Sequence, residues 1–188
     1  MGETEIYTLS LHDALPIWVS VNVSARQFKD KQFTSKVKAI VEEEKVQPCD
    51  LEIEITESVM LDVEGASQLI QELKELGVKV AIDDFGTGYS SLNVMKNVEI
   101  DTLKMDKSMI NDVSENGRMM SLLIAMIRLG KDLNTQVIIE GVETKEQKEF
   151  LKEYQVIAQG YFYSRPLPAG RLQQVWEKHG AVLGVTSE

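Results

Sequence analysis

Cysteine is nearly absent from this chain. Cys49 stands alone, so no internal disulfide forms, and a reducing compartment, the cytoplasm, is the expected setting. Histidine is almost as scarce: His12 and His179 lie near the two ends. That argues against a histidine-based zinc site and leaves too little histidine for a Ser-His-Asp or Cys-His constellation. A basic excess is missing as well. The 20 Lys and Arg face 30 Asp and Glu, a formal net charge of −10, which argues against bulk electrostatic binding to a nucleic-acid polymer or an anionic membrane. An anionic ligand held through divalent cations stays possible, because such ions invert the local charge. No apolar run reaches the ~20 residues of a membrane span. Nor do the opening residues read as a secretory signal: Glu3 and Glu5 sit where basic residues belong, and His12 and Asp13 interrupt the apolar part. Low-complexity linkers are lacking too. What remains, over 188 residues, is one domain long enough to bury a core.

From Val19 onward two hydrophobic periods alternate. Short β-branched runs lie at 19–23, 51–56, 78–82, 102–105, 136–140 and 156–162. Helix-like stretches separate most of them. In 64–76, Leu69, Ile70, Leu73 and Leu76 fall on one helical face, and Gly77 stands where a stop is wanted. Segment 118–130 is apolar nearly all round and predicts a well-buried helix that Gly130 ends or kinks; 145–154 and 171–179 predict two further helices. Strand alternating with helix predicts a parallel sheet with helical crossovers, an α/β fold.

The polar residues choose between an open sheet and a barrel. Asn22, Glu54 and Glu57, Asp83 and Asp84, Lys104 and Asp106, Glu140 and Glu143 fall at or near the ends of successive strands, and Gln159 lies within the last run. In a parallel arrangement those ends share one face. Site groups gathered from several strand ends are the mark of a (β/α)8 barrel. A dinucleotide-binding sheet needs a glycine-rich turn after its first strand, and "VSARQF" supplies none.

Each motif also has a plainer reading. The alternation in "LEIEITE" puts Glu52, Glu54 and Thr56 opposite Leu51, Ile53 and Ile55; a half-exposed strand with solvated glutamates would look the same. "AIDDFGTGYSSL" ends a strand on adjacent aspartates, either as turn and capping chemistry or as ligands for two neighbouring hard cations. Gly86 and Gly88 would let the loop after them move. Lys104 in "LKMDKS" is a salt-bridged lysine or one that holds a water or a developing phosphate charge. Glu143 in "IIEGVE" equally suits the start of a helix. Oxygen and nitrogen donors without thiols point to Mg²⁺ or Mn²⁺, and paired ions of that kind suit in-line attack on a phosphodiester.

Taken together, "VNVSARQF", "EITES", "IDDFGTGYSSL", "IDTLKMDKSMI", "IIEGVET" and "QGYFYSRPLP" resemble, in order and spacing, the EAL domain family of cyclic di-GMP-specific phosphodiesterases of bacterial signalling. The resemblance runs from residue 19 to about 179. It implies a TIM-like barrel and metal-dependent hydrolysis of cyclic di-GMP to linear pGpG, with Mg²⁺ or Mn²⁺ in a two-metal site and inhibition by Ca²⁺. By position, Asn22, Glu54, Asp83 and Asp84 resemble the metal ligands. Glu140 matches a glutamate assigned to a metal or to the general base. Lys104 resembles the lysine that holds the attacking water, and Gln159 the glutamine near it. Glu57 matches the anchor of a flexible loop, here residues 84 to 92 with Phe85, Gly86, Thr87 and Gly88. That loop and the helix after the lysine strand imply a homodimer. Such domains often follow a sensory or GGDEF domain, and the parent protein is open to membrane tethering.

The sequence departs from the family at its start. No Glu-Ala-Leu motif is present, and the stretch from Val19 falls short of the about 250 residues usual for such a barrel. The expectation is an incomplete barrel that lacks its first two strands, the Glu-Ala-Leu strand among them. "TLSLHDALPI" resembles one reading frame of a sequencing-library adapter. Residues 1–18 are therefore expected to be a non-family stretch of cloning or assembly origin, and 19–188 a partial EAL domain. Weak or absent activity of the chain as written is the matching expectation, with a non-catalytic cyclic di-GMP-binding module and a non-functional fragment as the other readings.

Overall fold

A computed structural model describes residues 18–62, 65–86, 98–111, 117–168 and 171. Six strands follow one another: β1 (Val19–Asn22), β2 (Leu51–Thr56), β3 (Lys79–Phe85), β4 (Thr102–Met105), β5 (Gln136–Ile139) and β6 (Ile157–Ala158). They form one sheet in the order β1-β2-β3-β4-β5-β6, and every neighbouring pair is parallel. The order never reverses, so the sheet is singly wound, as in a barrel, rather than doubly wound about a switch point. All strand C-termini lie on one rim.

Helices make the crossovers. They are α1 (Ala25–Phe28), α2 (Phe33–Glu44), α3 (Glu57–Asp62), α4 (Ala66–Glu75), α5 (Ser108–Asn111), α6 (Gly117–Asp132) and α7 (Lys145–Lys152). Local chemistry sets several ends. Ser24 and Thr144 cap α1 and α7, each in a reciprocal pair with the Gln three residues on. Gly77 takes φ +84 just past α4, the left-handed turn that glycine adopts without a Cβ penalty.

The core lies between one sheet face and the helices. Ile53, Ile55, Val80, Ile82, Leu103, Met105, Val137 and Ile139 supply the sheet side, and Phe28, Val37, Ile70, Leu73, Leu123, Ile127 and Leu151 the helical side. Burying each such side chain stabilises by about 1.5–3 kcal/mol relative to exposure. The other face carries Ser20, Glu52, Glu54, Ala81, Asp83, Thr102, Lys104 and Ile138, in register across the strands. Adjacent strands stand about 4.8 Å apart, yet the short side chain of Thr102 on β4 reaches Glu52 on β2 at 2.6 Å. That reach requires a sheet concave on the polar face. The fold is thus a six-stranded curled part of a barrel, with a polar interior and an apolar outer layer.

Three expectations need correction. The glutamates of "LEIEIT" are not solvated: Glu52 is 1% and Glu54 5% exposed, because the sheet curls over its polar face. Gly130 does not end α6, which runs on to Asp132; a Cβ there would lie 2.4 Å from Cγ2 of Val137, so the residue is small because β5 passes against it. Helix α6 is not buried all round either, since Leu122 is 43% exposed. The expected last helix falls, beyond Arg171, outside the described residues.

Candidate active site

Lys104 is the centre of the rim. It is the third residue of β4, alternation turns it to the concave face, and its side chain is 8% exposed. Three carboxylates from three other strands converge on its ammonium. Glu140 after β5 lies at 2.7 Å, Glu54 of β2 at 2.9 Å and Asp83 of β3 at 3.5 Å. No single strand could assemble this group.

The electrostatics follow from that crowding. Burial alone would lower the Lys104 pKa, but the hydrogen bonds and charges of Glu140 and Glu54 outweigh it and hold the group above ordinary lysine. Lys104 therefore stays charged and cannot act as a base in this arrangement. Burial raises the Glu54 pKa, against the opposing pull of Lys104; the Asp83 charge adds to the rise, and the Ser20 hydroxyl opposes it weakly. Asp84 is also raised, by partial burial first and then by the charges of Asp83 and Asp106. One ammonium does not balance the acids around it.

The other expected residues take separate places. Asp84 follows Asp83 with φ +54, a conformation uncommon outside glycine, and its N–H donates to Asp83 Oδ1 at 3.0 Å. The turn aims the two carboxylates differently. Glu57, 3% exposed, accepts the Gly86 N–H at 3.3 Å, which ties the first turn of α3 to the start of the loop after Phe85. Phe85 itself is a core residue of β3. Thr87 and Gly88 lie outside the described residues. Asp106 accepts the Ser108 N–H at 2.9 Å at the start of α5; the Ser108 hydroxyl first, and then the backbone N–H groups, lower its pKa against partial burial.

Asn22 lies exposed at the end of β1, in register with Glu54. Gln159 follows β6, exposed, with its backbone held to Ile139 and Val142. Neither side chain is drawn into the Lys104 cluster. Glu143 is exposed, and its backbone N–H donates to Gln147, which puts it in the approach to α7. Sequence reasoning passed over Ser20 and Thr102, whose hydroxyls meet Glu52 beneath Glu54. Their signal was present: each precedes a rim residue by two, on the same strand face.

The donor set fits a hard divalent cation by its chemistry. It consists of carboxylates and carboxamides, without thiol or imidazole, and the Asp84 pKa is raised by partial burial and by the charges of Asp83 and Asp106, with Lys104 opposing the rise. Among the described residues no three His, Cys, Asp or Glu side chains already stand as a metal-holding group; three carboxylates point instead at the Lys104 ammonium.

Comparison with known proteins places this geometry in a family. The family profile described as "EAL domain" matches residues 5–166. The signalling protein YkoW of Bacillus subtilis is 40% identical over 158 residues, 83% of this chain and 20% of that protein. The cyclic di-GMP phosphodiesterase NbdA of Pseudomonas aeruginosa is 39% identical over 158 residues, again 83% of this chain and 20% of that one. The chain thus spans about a fifth of the length of these curated relatives. Among solved structures, the PaMucR phosphodiesterase in complex with c-di-GMP superposes with a TM-score of 0.78 at 35% identity, over 82% of this chain and 64% of that one. This chain belongs to the EAL domain family.

Proposed function

We propose, from membership of the EAL domain family, that this chain carries the chemistry of cyclic di-GMP hydrolysis to linear pGpG. The observation that carries the reading is the meeting of Glu54, Asp83 and Glu140 on Lys104. Four strand ends supply one charged, largely buried cluster, and a relative and a structural neighbour of this kind are named phosphodiesterases.

Asn22, Glu54, Asp83, Asp84 and Glu140 would hold divalent cations, Mg²⁺ or Mn²⁺. Such ions, when bound, polarise the scissile phosphodiester and acidify a bound water. The chain's own groups do the rest. Lys104, permanently charged, orients the attacking water and offsets charge that develops on the phosphoryl oxygens. Glu140, half-exposed beside it, would take a proton from that water, and Gln159 would come to donate a hydrogen bond to it. Glu57, which accepts the Gly86 N–H, would anchor the loop that follows.

Two coarser proposals accompany this one. Pairing of two copies would use the loop after Gly86 together with α5, and a sensory or GGDEF domain would set the activity within the parent protein. No helix among the described residues is long and apolar enough to cross a membrane, and the exposed free thiol of Cys49 suits a reducing, cytoplasmic setting.

The test is incubation with cyclic di-GMP and Mn²⁺, followed by anion-exchange separation of products. The expected result is pGpG as the first product at a low rate, in keeping with the missing Glu-Ala-Leu glutamate, lost on chelation, suppressed by Ca²⁺ and absent in Glu54→Gln. Saturable cyclic di-GMP binding with no pGpG in any divalent ion would overturn the reading in favour of a binding module.

A further inference from the structure

A second polar layer lies beneath the Lys104 cluster. At its centre is Glu52, 1% exposed, and among the described residues no lysine or arginine pairs with it. Lys79, in register with Glu52 on β3, turns away, and its ammonium lies 5.0 Å from the centroid of the Trp18 ring. Two hydroxyls serve Glu52 instead. Ser20 of β1 donates to one carboxylate oxygen at 2.7 Å, and Thr102 of β4 donates to the other at 2.6 Å.

A buried carboxylate without a cation costs free energy that an apolar side chain would avoid. Its place is explained by what its two oxygens connect. Ser20, Glu52 and Thr102 each stand two residues before a rim residue on the same strand, namely Asn22, Glu54 and Lys104. Residues two apart in a strand share a face. The lower tie therefore repeats, one layer down, the strand pairing that the site needs above it: Glu52 to Thr102 below, Glu54 to Lys104 above. The buried apolar face forbids a one-residue slip, which would turn every side chain to the other side, but a two-residue slip keeps the faces and is resisted by specific ties across the polar side. The Glu52 carboxylate pins β1 and β4 to β2 at once.

We propose that Glu52 is a positioning residue: through the hydroxyls of Ser20 and Thr102 it sets the stagger of β1, β2 and β4, and so brings Glu54 and Lys104 together at the rim. The proposal rests on the reading of that rim as the phosphodiester-cleaving site. It adds a residue that touches neither substrate nor metal and acts only through its neighbours.

Three variants of the full chain test it: Thr102→Val, which removes the hydroxyl at constant shape, Thr102→Ser, which restores it, and Ser20→Ala, which cuts the other tie at an exposed strand end. The first measurement is the ¹H–¹⁵N resonance of the Lys104 ammonium. A lysine held by two carboxylates is protected from solvent exchange, whereas exposed lysines are not. The expected result is a resolved signal in the unaltered chain and in Thr102→Ser, lost or broadened in Thr102→Val and weakened in Ser20→Ala, with cooperative melting kept. The second measurement is cyclic di-GMP turnover, with kcat expected to fall about tenfold in Thr102→Val, KM changed less than about twofold, and Thr102→Ser close to the unaltered chain. An identical ammonium signal in all four proteins overturns the proposal, as does its absence from the unaltered chain. If Thr102→Val does not fold, Ser20→Ala decides on the same signal. Absence of turnover everywhere overturns the functional reading alone, because the ammonium signal reports the positioning independently of catalysis.

Discussion

Lys104 on β4 and Glu54 on β2 meet at 2.9 Å across an intervening strand, and the residue of that strand in register with Glu54 is Ala81. The contact exists because Ala81 is small. It is fully buried, faces the same concave side, and leaves a gap through which two long side chains reach each other. Charge and shape are thus arranged together, with the ion pair from β2 and β4 and the space for it from β3.

Filling that gap should break the pair. Ala81→Val adds two methyl groups at a fully buried position, in the space that the Lys104 and Glu54 side chains use, and overpacking of this kind costs about 1–3 kcal/mol. Urea unfolding should show that loss, and a crystal structure of the variant should show Lys104 and Glu54 parted. Wild-type stability with the 2.9 Å contact intact would refute the account.

Removing the cation should cost more. Lys104→Met leaves Glu54, Asp83 and Glu140 without their shared partner, and breaking a buried pair from one side costs about 3–5 kcal/mol. The pH dependence has a definite sign. Burial already raises the folded Glu54 pKa above its ordinary 4.5, and Lys104 opposes the rise, so the variant raises it further. A carboxyl with a raised folded pKa binds more protons folded than unfolded. Its stabilising contribution is full below 4.5 and is lost as pH rises through the folded value. The contribution of Lys104 itself, held above its ordinary 10.5, stays intact over this range. The deficit of the variant should therefore be smaller near pH 4 than at pH 7 and grow between them. Urea titrations at both pH values check it, and a deficit that does not change with pH rules the explanation out.

Gly130→Ala should destabilise, although alanine in a helix usually gains about 0.5–1 kcal/mol over glycine. The new Cβ would lie 2.4 Å from Val137 Cγ2, so α6 must move off β5. Adding Val137→Ala removes the obstructing methyl group. In a double-mutant cycle the pair should be less destabilised than the two single costs sum to; simple additivity would show that the contact is not the cause.

Gly141→Ala should disturb the site from behind. Gly141 has φ +70, and a Cβ there would fall 2.3 Å from Cβ of Lys107. The strained conformation alone costs about 1–3 kcal/mol. Because Glu140 is the preceding residue, its carboxylate should shift away from Lys104, and pGpG formation should drop more than stability does. Thermal melting and turnover measured side by side separate the two effects, and unchanged turnover would sink the prediction.

The helix cap at the entry to α7 gives a smaller and more local effect. Thr144 accepts the Gln147 N–H at 3.2 Å, and Thr144→Ala should cost about 1 kcal/mol. Denaturant unfolding measures it; a loss below about 0.3 kcal/mol would mean that the cap contributes nothing.

Much of this was legible before any coordinates. Strand runs at 51–56 and 102–105 coincide with β2 and β4, because β-branched runs between turn residues leave few alternatives. The polar residues at successive strand ends read as one rim because parallel strands must end on the same side. Elsewhere local pattern misled. Gly130 looks like a helix stop in sequence, yet its small size serves a strand that lies six residues further along the chain. The glutamates of β2 look solvated, since alternation says only that they oppose the isoleucines and not whether that second face is covered.

The sequence by itself determined the alternation of strand and helix, the parallel sheet, and the list of acids and the lysine at the strand ends, because these follow from periodicity and spacing along the chain. Tertiary structure alone decided which of those groups meet. Glu54, Asp83 and Glu140 turn to Lys104, while Asn22 and Gln159 do not, and Glu52 drops into a buried layer held by two hydroxyls from strands on either side. Curvature is the reason. How tightly a sheet closes depends on side chains such as Ala81 packed between strands distant in sequence, and that depth settles which charged groups are desolvated and which partners they reach.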